Sequence, residues 1–237
     1  MIKKSVSHSI HASIDGLLNL VFPEYCGACN KSLSKGEKVI CISCRFKLPK
    51  TNYHLVADNT LVRLFWGKTK VNAATSYYHF GKGEKVQNLI HNLKYHQRTD
   101  IGQLIGELLA FQIMSTDLFS GIDIVIPVPL HESRLRQRGF NQCDSIADGL
   151  SKELGVPSGS GLLRRIAATT TQTKKQRHER HLNMEGVFQS KDVICLQGKH
   201  VLLVDDVITT GATLVACAEE ILKSKGAQVS ICAIACA

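Results

Sequence analysis

No stretch of this 237-residue chain is apolar for long enough to cross a membrane. A spanning helix needs roughly 20 such residues, and the apolar run near the start, Leu17 to Phe22, is far shorter. Behind Lys3 and Lys4 there is no hydrophobic region of the kind a secretory leader carries. Internal repeats and low-complexity tracts are lacking too, which excludes a repeat array as the organising principle. Acidic residues are the scarcer charge, 20 against 29 lysines and arginines, for a net charge of +9. That balance draws polyanions, with nucleic acid and phosphorylated ligands among them. The ten histidines form no constellation along the chain: His79, His91 and His96 fall near element ends, His178 and His181 in a basic stretch. With 44% hydrophobic and 21% charged residues, the composition is that of a globular protein. The length suits one good-sized core, or one core with a small satellite.

Cysteine is plentiful, and its placement is informative. Five of the nine, Cys143, Cys195, Cys217, Cys232 and Cys236, are scattered through mostly apolar runs and read as small buried hydrophobes. An odd count without a leader fits a reducing compartment, so the expected location is cytoplasmic. The other four form two CxxC pairs, Cys26/Cys29 and Cys41/Cys44, with eleven residues between them. Two such knuckles are the signature of a four-cysteine zinc site, in which all four positions are filled by protein and the metal is structural. The second pair argues against a thioredoxin-like redox site, which needs only one. A segment this small has too little core to fold unaided, so metal binding supplies the free energy. Residues 1–50 are thus expected to form an N-terminal module: a short amphipathic helix over 12–22, then a zinc-ribbon-like cluster. Residues 49–52 form a linker, and 51–237 a second domain.

That second domain alternates apolar strands with helical stripes. Strands are expected at 71–80, 124–128, 201–204 and 228–236, and helices at 84–95, 101–114, 141–154 and 212–225. Strands apolar on both faces and interleaved with helices indicate an α/β fold built on an open parallel sheet. Ligands of such sheets sit at the carboxyl ends of the strands, which directs attention to residues 127–141 and 205–213. Trp66, Tyr77 and Tyr78 have the rings to stack on bases, but such aromatics more often fill a core, and they are read as core.

The segment Val201 to Thr213, VLLVDDVITTGAT, has a use for each of its parts. A buried strand ends at two adjacent carboxylates, Asp205 and Asp206, which can accept hydrogen bonds from a ribose diol. Thr209, Thr210, Gly211, Ala212 and Thr213 then open a helix. Successive backbone N–H groups at a helix start make an anion nest. Gly211 allows close approach, and the threonine hydroxyls add donors. A helix cap needs only one of these residues. Upstream, Arg134, Arg136 and Arg138 follow a strand end, in a loop before the next helix. There they suit pyrophosphate or nucleic-acid phosphate, because guanidinium binds oxyanions bidentately. Residues 164–183 carry six lysines and arginines, Arg165 and Arg180 among them, against one acid, Glu179.

VLLVDDVITTGAT closely resembles the 5-phosphoribosyl-1-pyrophosphate (PRPP) motif of type I phosphoribosyltransferases. The resemblance extends through Pro127, Pro129, Arg138-Gly139-Phe140-Asn141-Gln142, Arg165, Thr169, Gln172, Arg180, Asn183 and Phe188. With the cysteine cluster, these look like the ComF/GntX family over nearly the whole chain. The resemblance implies a type I phosphoribosyltransferase fold, with Asp205 and Asp206 on the ribose and residues 209–213 on the 5-phosphate. It also implies Mg²⁺ accompanying PRPP. As function it implies handling of single-stranded DNA during DNA uptake in natural transformation, with a DNA-uptake helicase as partner. Two other functions stand beside it: an active transferase displacing pyrophosphate with a nitrogen nucleophile, and a PRPP sensor without turnover. No residue is singled out as a catalytic base.

Overall fold

The computed structural model of the chain describes residues 23–81, 84–166, 186–191 and 194–237. The helix expected over 12–22 lies outside them. In chain order the elements are α1 (Ile42–Lys47), α2 (Thr60–Arg63), β1 (Ala74–His79), α3 (Glu84–Tyr95), α4 (Thr99–Met114), β2 (Ile124–Pro127), α5 (Glu132–Arg138), α6 (Gln142–Leu154), β3 (Leu163–Arg165), β4 (Phe188–Ser190), β5 (His200–Ile208), α7 (Ala212–Leu222) and β6 (Gln228–Cys236). Strands β1, β6, β5 and β2 lie side by side in that order, every pair parallel. β3 and β4 form a separate antiparallel pair.

Side-chain alternation along the strands sorts the core into two faces. Leu202, Val204, Cys232 and Ile234 pack with α3, α4 and α6. Val201, Leu203, Val229 and Ile231 pack with α7, the α2 segment and β3–β4. The first face does not stop at residue 50: Cys26, Ala28, Ile40 and Leu48 share its core with Leu89 and Ile101. Helices α4 and α6 meet almost backbone to backbone. A Cβ at Gly106 would stand 2.3 Å from the Ile146 carbonyl, and one at Gly149 2.2 Å from that of Gln103, so neither position admits a side chain.

Four local expectations change. The stretch read as a linker is laid along the edge of β1: Thr51 N–H donates to Tyr77 (3.2 Å), His79 N–H donates to Pro49 (2.8 Å), and Lys50 bridges Tyr78. Covering a strand edge in this way removes its unpaired backbone groups from competition. The run after β2 is not a loop throughout, because α5 forms there, started by His131, whose Nδ1 accepts from the Ser133 N–H, and closed by Gly139 at φ 79°. The β3–β4 pair joins segments on either side of the basic stretch, a contact that local periodicity does not encode. Strand β5 runs on to Ile208 rather than ending at Val204, so the two aspartates lie within the strand.

Candidate functional site

Strand β2 accompanies β5 only as far as Pro127 opposite Val204. Beyond that point β5 keeps β6 on one side and is open toward α5 and the start of α6, and this is where the acids stand. Neighbouring residues of a strand point to opposite faces. Asp206 continues the side of Leu202 and Val204, toward α3 and α6. Its Oδ1 is 2.7 Å from Lys94 Nζ, and its Oδ2 accepts from the Gln142 side-chain amide. The pair is well shielded, with the Asp206 side chain 6% exposed and that of Lys94 22%. Asp205 accepts the Asp206 N–H at 2.8 Å, and its Oδ1 lies 3.6 Å from Cys143 Sγ. Burial above all, then the charge of Asp206, raises the Asp205 carboxyl to about 7, against the opposing pull of the Asp206 N–H and Lys94. The Cys143 thiol is pushed well up by burial and then by the two acids, so it stands there as a protonated donor, not a nucleophile. Neither Lys94 nor Cys143 was singled out from the sequence for this role: Lys94 had only its place near a helix end, and Cys143 read as core.

Downstream of the acids, Thr209 is exposed and Thr210 half-buried. Gly211 is the N-cap of α7 at φ 73°, and no cap side chain occupies the first turn. The cap explanation for the threonines therefore fails, apart from a long 3.5 Å contact between the Ala212 N–H and Thr210 Oγ1. Thr213 sits half-buried in the first turn of α7. Gly211 also has a packing reason: a Cβ there would meet Leu64 Cδ2 and Phe65 Cε1 at 3.1 Å each. Gly211→Ala combines that contact with left-handed backbone, and is expected to cost about 1–3 kcal/mol. For a chain of this size that lowers the melting temperature by roughly 2–12 °C, measurable by calorimetric scanning.

The arginines divide. Arg138 Nη1 donates to Gln142 Oε1 at 2.8 Å, the residue that also holds Asp206, and its guanidinium lies 5.3 Å from the Tyr95 ring centroid. Arg165 stacks on Phe188 at 5.5 Å. Its pKa is lowered by burial first and then by Arg134, with Asp205 pulling the other way. Arg134, Arg165 and Asp205 thus share one electrostatic neighbourhood. Arg134 and Arg138 are four apart on α5 and share a side of the helix, while Arg136 turns away from them. Arg180 lies outside the described residues.

The cysteine module has the donor set to hold a metal ion. The four Sγ atoms of Cys26, Cys29, Cys41 and Cys44 all lie within 4.8 Å of one another. Cys29 and Cys41 are 3.8 Å apart, about the edge of a tetrahedron with metal–sulfur bonds of about 2.3 Å and far beyond a disulfide. All four thiols are free. Burial pushes Cys26 up, but the N–H groups of Cys41, Cys29 and Ala28 outweigh it and bring the thiol down to about 7, which favours the ligating thiolate. Helix α3 ties this module to the acids. Asn92 and Asn88 donate from its surface to the carbonyls of Gly27 (2.8 Å) and Ala28 (3.0 Å), inside the first knuckle, and two residues past Asn92 the same helix carries Lys94.

Residues 142–237 match the family model described as phosphoribosyl transferase domain. That span holds Gln142, Cys143, both aspartates and the loop to Thr213. The DNA utilization protein YhgH of Escherichia coli O157:H7 is 30% identical over 209 residues, 87% of each chain. Competence protein ComFC of Bacillus subtilis is 27% identical over 227 residues, 84% of each, and competence protein F of Haemophilus influenzae 32% over 137 residues, 55% of this chain and 59% of its own. A parallel α/β sheet, a phosphoribosyl transferase match over residues 142–237 and a relative 30% identical over 87% of the chain lead to one assignment: the chain belongs to the ComF-like family of phosphoribosyltransferase-domain proteins.

Proposed function

We propose that the carboxyl end of β5 and the start of α7 bind PRPP with Mg²⁺. The observation that carries this is the sequence of an acid pair, a left-handed glycine and a helix start without a side-chain cap, inside the matched domain. Asp205 and Asp206 accept from the ribose hydroxyls. Thr209, Thr210, Gly211, Ala212 and Thr213 surround the 5-phosphate with hydroxyl and backbone donors, favoured by the helix dipole. Arg134 and Arg165 face the pyrophosphate, and Arg138 acts through Gln142. The proposal is one of binding: Lys94 is held by Asp206 and Gln142 donates to the same carboxylate, so both serve to position the acid pair. The metal of the N-terminal module, residues 1–50, is zinc, held by Cys26, Cys29, Cys41 and Cys44, and its contribution is structural.

The same reading assigns the chain a part in handling single-stranded DNA in the cytoplasm, supported by the +9 charge and by relatives named for DNA utilization and competence. A DNA strand offers no free 2′,3′-diol, so it cannot satisfy the acid pair as PRPP does. DNA therefore lies on the basic surface outside the pocket, with affinity that falls as salt rises. The test of the pocket is thermal. PRPP·Mg²⁺ at about 100 times its dissociation constant adds about 2.7 kcal/mol, a rise of roughly 5–11 °C. Asp206→Asn is expected to abolish the rise. A wild-type melting temperature unmoved by millimolar PRPP·Mg²⁺ sinks the reading.

A further inference from the structure

Trp66 is the one tryptophan of the chain. Tyr77 and Tyr78 are buried as the sequence suggested, at 5% and 1% exposure, but Trp66 is 61% exposed. The reason lies in the turn that carries it. Leu61, Val62 and Phe65 take the inward positions and leave Trp66 facing out. That turn is firmly held. The Asn59 side-chain oxygen caps α2 by accepting from the N–H groups of Leu61 and Val62, both at 2.9 Å, while its amide donates to the Ala74 carbonyl on β1 at 2.9 Å. Arg63 is clamped by two bonds to Asp58, at 2.8 and 2.7 Å, and its guanidinium stands 5.7 Å from the Trp66 ring centroid. The inner side of the same turn, Leu64 and Phe65, is what a Cβ on Gly211 would strike. The turn that carries the exposed indole therefore has its inner side against the start of the phosphate loop's helix.

We infer that Trp66 and Arg63 form a stacking platform for a base of single-stranded nucleic acid, on the outer side of a turn whose inner side packs against Gly211. An indole more than half exposed keeps area for a flat ring. A guanidinium fixed near it adds cation–π attraction, and Lys68 and Lys70 follow within the same segment, which between residues 58 and 70 has three basic side chains against the single acid Asp58. Aromatic stacking with a basic border is the chemistry of sequence-tolerant single-strand binding. PRPP, which carries no base, cannot use it. The inference rests on the DNA-handling reading above and names where a base would sit.

Because Trp66 is the sole tryptophan, its emission reports on this site alone. The experiment titrates the full-length protein with a fluorescein-labelled dT oligomer by anisotropy, and with the unlabelled oligomer by tryptophan emission. A dT oligomer carrying several abasic positions and PRPP·Mg²⁺ serve as probes without a full set of bases. Expected are quenching with the same midpoint as the anisotropy curve, little quenching by PRPP·Mg²⁺, and weaker quenching by the abasic oligomer. Trp66→Ala is expected to weaken binding roughly tenfold or more, with Trp66→Phe retaining most of it. Normal anisotropy without quenching, and unchanged affinity in Trp66→Ala, would overturn the platform while leaving DNA handling intact. No oligomer binding even at low salt overturns both.

Discussion

Stripping the metal from the four-cysteine module is expected to unfold the module and weaken the distant ribose site together. Metal binding in small four-ligand modules contributes on the order of 10 kcal/mol, comparable with the whole stability of a domain. The module shares its core with Leu89 on α3 and Ile101 on α4. The knuckle carbonyls of Gly27 and Ala28 are where Asn92 and Asn88 of α3 are anchored. Loss of the knuckle therefore releases the helix that carries Lys94 to Asp206. Elemental analysis should find about one zinc per chain. A chelator, or Cys44→Ser, should lower the melting temperature by more than 10 °C, speed amide exchange along α3, and reduce PRPP affinity although no PRPP ligand has been touched. Double replacement of Asn88 and Asn92 by Ala isolates the link: zinc retained, α3 exchange faster. A well-folded preparation that contains no zinc contradicts the metal assignment.

Lys94→Met is expected to be among the costliest single substitutions in the domain. It leaves Asp206 shielded and unpaired, and breaking a buried ion pair from one side costs about 3–5 kcal/mol, or roughly 6–20 °C in melting temperature. The double variant Lys94→Met, Asp206→Asn removes both charges and should recover much of the loss, giving a coupling that a merely structural lysine would not show. The pH dependence has a definite sign. Asp205 is held at about 7 in the folded chain, above the usual carboxyl value near 4. The native state therefore keeps a proton that the unfolded chain gives up, and this contribution to stability is present below pH 4 and lost as pH rises toward 7. Asp206, Lys94, Cys143, Arg165 and Cys217 are the charged and titratable groups around Asp205. Among them Lys94 opposes the upward shift, so Lys94→Met should move the upper end of the window to higher pH. Denaturant titrations from pH 4 to pH 8 would read this directly.

The apolar strands and helical stripes were legible because each is written in a single stretch of chain. Burial on both faces forces Val201 to Val204 to be apolar throughout. The strand end was misjudged because Asp205 and Asp206 read as a stop, whereas β6 continues to pair with β5 as far as Ile208 opposite Cys236. The acids and the loop were visible as chemistry in a row. Their partners were not: Lys94 comes from a helix more than a hundred residues earlier in the chain, and nothing local distinguishes it from a surface lysine. Trp66 failed for a related reason. Which of Leu61, Val62, Phe65 and Trp66 stays outside depends on how a short turn meets β1 and Gly211, a tertiary matter. The CxxC pairs needed no tertiary information, since their spacing is itself the geometry.

Titration calorimetry of PRPP with Mg²⁺ against the wild-type chain and against Asp205→Asn, Asp206→Asn tests the central claim most directly. Saturable binding near one PRPP per chain, lost in the double variant while that variant keeps its zinc and its fold, is the predicted result. No heat of binding to the wild type at millimolar PRPP, or equal binding by both proteins, would contradict it.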